Sequence, residues 1–145
     1  DFRHQCEQAL KASPTHITSL YLGRLRPPQY QNRIARAITN AQHRDAHYIA
    51  DTRLLHAVGF ALTTEHIEPM LAFTATRDYL PWDEAVTAYA KHSGQRVAYT
   101  HPSLIDHQDG PTLIAHRDHQ PRRAGRIAWR VGTRHHWERE RTVTM

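Results

Sequence analysis

The sequence predicts an α/β fold in which helices cover a sheet, a layered α/β/α arrangement. Segments with apolar residues at helical spacing alternate with short runs rich in β-branched and aromatic residues, and proline or glycine punctuates the joins. A length of 145 residues, with 39% hydrophobic and 23% charged residues, suits one domain around one core.

Taken in order, Phe2, Cys6, Ala9 and Leu10 recur at helical spacing and Pro14 ends the segment, so a helix is expected over about residues 2–12. Ile17 to Leu22 alternates, carries β-branched and aromatic residues and closes at Gly23, which reads as a buried strand. Two prolines and exposed arginines in GRLRPPQY forbid regular structure. Ile34, Ala35, Ile38 and Ala41 then carry a helix near Tyr30–Gln42. Between Ala46 and Leu62 two apolar runs flank Asp51-Thr52 and read as strands or a hairpin, with Gly59 marking a bulge or the close approach of a ligand or backbone. Thr63 or Thr64 caps a short helix with Ile67, Met70 and Leu71 on one side. In the next helix Asp83 is expected as N-cap, Val86, Tyr89 and Ala90 as the inner face and Gly94 as the stop. Gln95–Thr100 is the last expected strand.

Composition narrows the partners. The formal charge is +5 and there are thirteen histidines. A basic surface concentrates anions, which fits phosphate groups on a nucleotide or a nucleic acid alike. Much of that charge lies late (Arg117, Arg122, Arg123, Arg126, Arg130, Arg134, Arg139, Arg141), where it equally suits a solvated tail, the default reading after about His135. Cys6, the single cysteine, excludes an internal disulfide and a multi-thiolate zinc site, and its place on an apolar stripe marks it as a buried small hydrophobe. The chain has no apolar run long enough to span a bilayer and no secretory signal, so a cytoplasmic location is expected. It begins at Asp1 rather than methionine, and a processed chain or the C-terminal part of a longer one is expected.

The Walker loop, GxGxxG, HExxH and GxSxG are absent, so kinase, dehydrogenase, zincin and serine-hydrolase readings lose their main support. Asp83-Glu84 at a helix start is placed where unpaired amides stabilise an ionised carboxylate, and such a group serves either as a helix cap or as a general base. In YTHPSLIDHQDG, Pro102 ends the strand and Asp106, His107 and Asp109 follow within four positions. His107 there is either a surface histidine or a ligand, and an oxygen-rich site with one imidazole suits Mn2+ or Mg2+ better than zinc.

In this order, SLYLGRLRP, LLHAVGFALTTEHIEPML and LPWDEAVTAYAKHSGQRVAYTHPSLIDH resemble the second half of a GT-A-type glycosyltransferase domain of bacterial and phage sugar-transferring enzymes. The resemblance covers about residues 1–107, with GRIAWRVG a weaker match beyond, and implies a partial GT-A-like domain with a mixed sheet over 1–114. Residues 115–145 are left as a partly flexible basic tail. It implies Asp83 as catalytic base with Glu84 in reserve, Ala57, Val58, Gly59 and Arg24 at the donor, and His107 as ligand to Mn2+ or Mg2+, with Asp106 orienting a neighbour. Arg26 and Arg126 add charge near the phosphates. The partners implied are a nucleotide-sugar donor and a glycan, protein or other hydroxyl acceptor, with inversion at the sugar. The family's DxD motif belongs before a helix beginning like DFRHQ, where this chain starts, and the fragment is therefore expected to be inactive alone. The rival is a nucleic-acid-binding module that uses the arginine-rich end with Trp129, Trp137 and Tyr99 for stacking. A histidine-based metal-dependent nuclease ranks last, having the residues without a characteristic spacing.

Overall fold

A computed structural model describes residues 1–77, 81–107 and 127–145. Among them are helices α1 (Phe2–Lys11), α2 (Gln31–His43), α3 (Thr64–Ala75) and α4 (Trp82–His92), and strands β1 (Ile17–Ser19), β2 (Gly23–Arg24), β3 (Tyr48–Asp51), β4 (Phe60–Leu62), β5 (Val97–Thr100), β6 (Ile127–Ala128) and β7 (Thr142–Thr144). A short 3-10 turn, Pro28–Tyr30, leads into α2. Five strands form one mixed sheet in the order β4-β1-β5-β3-β7, and β2 pairs separately with β6. The β1–β5 and β3–β7 pairs are parallel; β1–β4 and β3–β5 are antiparallel.

Alternation along the strands sends side chains to two faces. Ile17, Ile49, Val97, Tyr99 and Val143 join Ile34, Ile38 and Ala41 of α2, Met70 of α3 and Val86, Tyr89 and Ala90 of α4 in one core. Tyr48 and Ala98 point the other way, to Ala9 of α1, Leu104 and Trp137. The sheet is thus covered on both sides, as the layered α/β expectation requires. Tyr48 ties the second layer down further, since its hydroxyl donates to Ala9 O at 2.7 Å.

The helices begin and end for local reasons. Asp1 caps α1, its carboxylate accepting from Arg3 N at 3.0 Å. After α2 the chain turns through Asp45 at φ 45°, a left-handed conformation that aspartate tolerates better than most residues. Gly94, at φ 67°, follows α4 where a residue without a Cβ is favoured. Asp83 differs from expectation: Pro81 is the N-cap and Asp83 is the second residue of α4, because the proline's extended backbone already ends the preceding chain. Thr63 is the N-cap of α3 but makes no side-chain cap bond; its hydroxyl lies 3.0 Å from His16 Nδ1 instead. On α3 only Met70 is buried, while Ile67 and Leu71 stay 44% and 49% exposed, against the single apolar side read from the sequence.

Two further corrections concern connectivity. The two runs between Ala46 and Leu62 are strands, but not a hairpin: β3 lies between β5 and β7, and β4 is the edge strand beside β1. Asp51 is level with Val97, whereas Phe60 is level with Ser19 and so with Tyr99. Residues 52–59 must therefore travel along the sheet before β4 can begin. They do so across Tyr99, whose hydroxyl donates to Arg53 O at 2.6 Å and accepts from Leu55 N at 2.7 Å. The expected strand over Ile17–Leu22 is shorter: Leu20 N still bonds Gly59 O beside β4, but Leu20 O accepts from Leu104 N and Ile105 N of the loop after β5, and Leu22 N bonds the Ser103 hydroxyl.

The solvated-tail reading after about His135 also gives way. Val143 is 6% exposed in β7 and Trp137 is 7% exposed, so the end of the chain supplies an edge strand and part of the second core. Arg134 holds it in place, donating to His101 O (2.7 Å), Ala46 O (2.8 Å) and Asp45 (2.9 Å). Arg141 pairs with the same Asp45 at 2.6 Å and with Glu138 at 3.1 Å. Of the late arginines, Arg117, Arg122, Arg123 and Arg126 lie outside the described residues, as does Asp109.

Candidate functional site

The crossing of residues 52–59 over Tyr99 leaves a hollow between that segment, the turn after β2, the start of α4 and the loop after β5. This cleft of about 610 Å³ is lined by Arg26, Pro27, Pro28, Leu55, His56, Ala57, Val58, Asp83 and His107. Its size lies within the range of about 300–1,000 Å³ usual for small-molecule sites. Asp83 and His107, 24 positions apart in sequence, thus meet at one cleft with Ala57 and Val58.

Each wall is fixed by identifiable bonds. Arg26 follows Leu25, held at φ 75°, where a side chain normally strains the backbone. The Gln31 amide clamps this turn: its oxygen accepts from Leu25 N at 3.0 Å and its nitrogen donates to Arg26 O at 2.8 Å. His56 accepts a bond from Gly23 N at Nε2 (3.2 Å), which places the ring proton of the neutral imidazole on Nδ1. Its ring stands edge-on to Tyr21, with centroids 5.0 Å apart. A Cβ on Gly23 would come within 2.8 Å of the His56 ring and 2.9 Å of the Tyr21 hydroxyl, so glycine is needed here for close packing.

His107 sits on a braced loop. The Asp106 carboxylate accepts from His107 N at 2.8 Å and from Ala128 N at 2.7 Å, tying the loop to β6. Ser103 N bonds Arg130 O, and Leu104 N bonds Leu20 O at 2.9 Å, which pins the loop to the β1 side. Asp106 thus acts on the backbone around His107. Asp83 stands in the first turn of α4, beside the amides that the helix leaves unpaired at its N-terminus. Its own Oδ1 accepts from Glu84 N at 3.1 Å.

Other sequence-nominated residues fall elsewhere. Gly59 does not line the cleft: a Cβ there would overlap Ile105 Cδ1, so the glycine makes room for a half-buried side chain of the His107 loop. Arg24 is exposed in β2, opposite Ile127, and its neighbour Arg26 faces the cleft instead. The left-handed turn at Leu25, just past β2, separates two arginines that their i, i+2 spacing would put on one face of a continuing strand. Glu84 is exposed and belongs to a second hollow of about 390 Å³, which shares Pro27, Leu55 and Asp83 with the first. His56 was not singled out in the sequence, although it stands next to Ala57-Val58; its signal is a polar ring inside an otherwise apolar run.

Among the described residues no group of three or more His, Cys, Asp or Glu side chains is placed to hold a metal ion. His107 offers one imidazole, and the described donor set alone does not make a Mn2+ or Mg2+ shell. No helix among the described residues is long and apolar enough to cross a membrane. Comparison with protein-family models, with curated proteins and with solved structures gives no match for this chain.

Proposed function

We propose that the chain carries part of the active site of a glycosyltransferase that moves a sugar from a nucleotide-sugar donor to an acceptor hydroxyl. The observation that supports this reading is the convergence of Asp83, His107, Ala57 and Val58 on one cleft, with Arg26 and His56 beside them. The GT-A resemblance nominates Asp83 as base, Ala57 and Val58 at the donor, His107 as metal ligand and Arg26 near the phosphates; His56 is an addition to that set, and Gly59, Arg24 and Glu84 of the same set do not line this cleft.

The chemistry follows from charge. Arg26 donates N–H groups to a phosphate, and the polar ring of His56 lines the same cleft. The acceptor oxygen forms a bond to the anomeric carbon while the bond from that carbon to the diphosphate oxygen breaks, its electron pair leaving with the diphosphate. The hydroxyl proton passes to the Asp83 carboxylate, acting as general base. Attack from the face opposite the leaving group inverts the sugar. The metal dependence expected of such enzymes has in this cleft the ligand that the resemblance nominates, His107, and no step above is routed through an ion.

Two of the three stacking groups that the nucleic-acid reading names are buried and the third is half-buried. Tyr99 is fully buried, Trp137 is 7% exposed, and Trp129 packs against the main core. In the full-length protein, Asp83→Asn is expected to reduce transfer from UDP- or GDP-sugars by about two to four orders of magnitude while nucleotide binding persists. His107→Ala is expected to weaken Mn2+-dependent nucleotide binding. Unchanged turnover in the first variant together with unchanged binding in the second overturns the proposal.

A further inference from the structure

A third hollow, of about 270 Å³, lies where Arg134 and Arg141 fasten the end of the chain. It is lined by Asp45, His47, Thr133, Arg134, His135 and Arg141 among others, none of which borders the cleft described above. We infer that this hollow binds a small tetrahedral oxyanion, a phosphate ion or the head of a phosphomonoester, on the Nε2–H of His47 and the guanidiniums of Arg134 and Arg141. The site is independent of the function proposed above.

The imidazole of His47 carries the inference. The residue is 2% exposed, and its backbone is committed, N donating to Arg141 O at 2.7 Å and O accepting from His101 N at 2.9 Å. Its Nδ1 accepts from Glu138 N at 2.9 Å, so in the neutral ring the proton sits on Nε2. Burial, and then the charges of Arg134 and Arg141, lower the imidazole to about 4, which keeps the ring neutral at pH 7 in this tautomer. Among the described residues Nε2 has no hydrogen-bond partner, and it is not one of the occluded polar atoms, so it opens on reachable space. A nearly buried ring therefore holds a fixed N–H donor that no protein acceptor answers. The same tautomer leaves no lone pair at Nε2, which makes this a donor site and not a metal site.

The acceptors around the hollow are already used. Asp45 Oδ1 accepts from Arg134 at 2.9 Å and Oδ2 from Arg141 at 2.6 Å. Arg134 also donates from Nε and Nη2 to backbone carbonyls, which fixes its plane. Arg141 donates from Nε to Glu138 at 3.1 Å, and its Nη2 makes no bond among the described residues. Thr133 adds an exposed hydroxyl. With Glu138 counted, two guanidiniums face two carboxylates, so net charge does not decide the ligand while the imidazoles are neutral. Position does: at the His47 ring the two guanidiniums outweigh the two carboxylates. The hollow thus offers donors without acceptors in a positive local field, and a ligand with several charged oxygens satisfies both. Its volume lies below the range of about 300–1,000 Å³ usual for drug-sized ligands and suits a small ion or head group. An ion held between His47 and Arg141 ties the segment before β7 to the start of β3, and so stabilises the folded end of the chain.

The test is NMR of the isotope-labelled full chain at pH 7, observing imidazole nitrogens and backbone amides while inorganic phosphate, glycerol 3-phosphate or sodium chloride is added at matched ionic strength. Phosphate is expected to shift His47 Nε2 and the amides of Thr133 and Arg134 saturably, and chloride to leave them in place. A tighter response to glycerol 3-phosphate assigns the site to a phosphomonoester, and a response to the free ion alone assigns it to phosphate; either result supports the site. His47→Asn keeps an acceptor for Glu138 N but lacks the Nε2–H, and is expected to weaken phosphate about tenfold, the loss of one hydrogen bond to a charged group. Arg141→Gln, at an exposed side chain, is expected to weaken it to a similar extent and serves where the His47 variant does not fold. No saturable shift at His47 Nε2 in the parent, the same shift with chloride, or parental affinity in both variants overturns the proposal.

Discussion

A side chain at Gly59 would collide with Ile105, which lies two residues before His107, so the consequence of this glycine is felt in the cleft although it does not line it. Gly59→Ala is expected to push the Cδ1 end of the half-buried Ile105 side chain aside, at a rotamer's cost of about 1 kcal/mol or less, and to lower affinity for UDP; urea denaturation and nucleotide titration check the two effects. Tyr99 acts on the opposite wall. It is fully buried, and burial raises its phenol well above the ordinary value, keeping the hydroxyl protonated as the donor to Arg53 O. Tyr99→Phe leaves both Arg53 O and Leu55 N without that partner, and a loss of about 1–3 kcal/mol is expected. The same variant is expected to weaken UDP binding, since the segment it releases carries His56, Ala57 and Val58. A variant as stable as the parent would show that the crossing segment is held by packing alone.

At the scale of elements, the helices were the most legible part of the sequence and the connections the least. Phe2–Lys11 and Gln31–His43 fall within a residue or two of their expected spans because apolar spacing and flanking Pro14 and Pro28 act locally. The placement of β3 away from β4 was not legible, because nothing in Ala46–Leu62 states that Tyr99, some forty positions later, will bind the backbone of residues 53 and 55. The end of the chain was misread for a similar reason: Arg134 and Arg141 look like solvated charge until Asp45 is found beside them. Two histidines under this latch give it a pH dependence. Burial, and then the nearby positive charge of Arg134, lower His47 and His101 from 6.5 to about 4. His47 Nδ1 accepts from Glu138 N at 2.9 Å, a bond that protonation removes. Between pH 6.5 and 4 the unfolded chain binds protons that the folded chain excludes. Stability is therefore complete above about pH 6.5 and falls as pH drops towards 4, by up to about 1.4 kcal/mol per pH unit for each histidine. Asp45 adds to the acid side, its carboxyl held below the ordinary value by the Arg134 hydrogen bond, so its contribution is present above 3.8 and lost as pH falls through its lowered value. Thermal unfolding from pH 7.5 to 4.5 is expected to show a steadily falling midpoint, and a His47→Gln, His101→Gln double variant a flatter profile.

For the whole molecule the decisive feature is that the sheet is completed from both ends of the described chain. The N-terminal helix covers one face through Ala9, and β7 closes the far edge through Val143, with Met145 N bonding Ala50 O at 3.0 Å. The site lies at a distance from this closure in the chain, yet β3 leads directly from the β7 pairing into Asp51, where Arg33 of α2 binds the buried carboxylate and Thr52 N donates to it at 2.7 Å. Asp51 is also where the crossing segment over Tyr99 begins. Loosening β7 should therefore reach the cleft through β3 and not through any side chain in the cleft itself. Val143→Ala removes two buried carbons and is expected to cost about 2 kcal/mol. Hydrogen exchange should then quicken first at Tyr48–Ala50, which pair with β7, and next at Leu54 and Leu55, while α4 keeps its protection. Equal acceleration across all elements would mean that the sheet opens only by global unfolding, and the edge strand would have no separate hold on the segment that shapes the cleft.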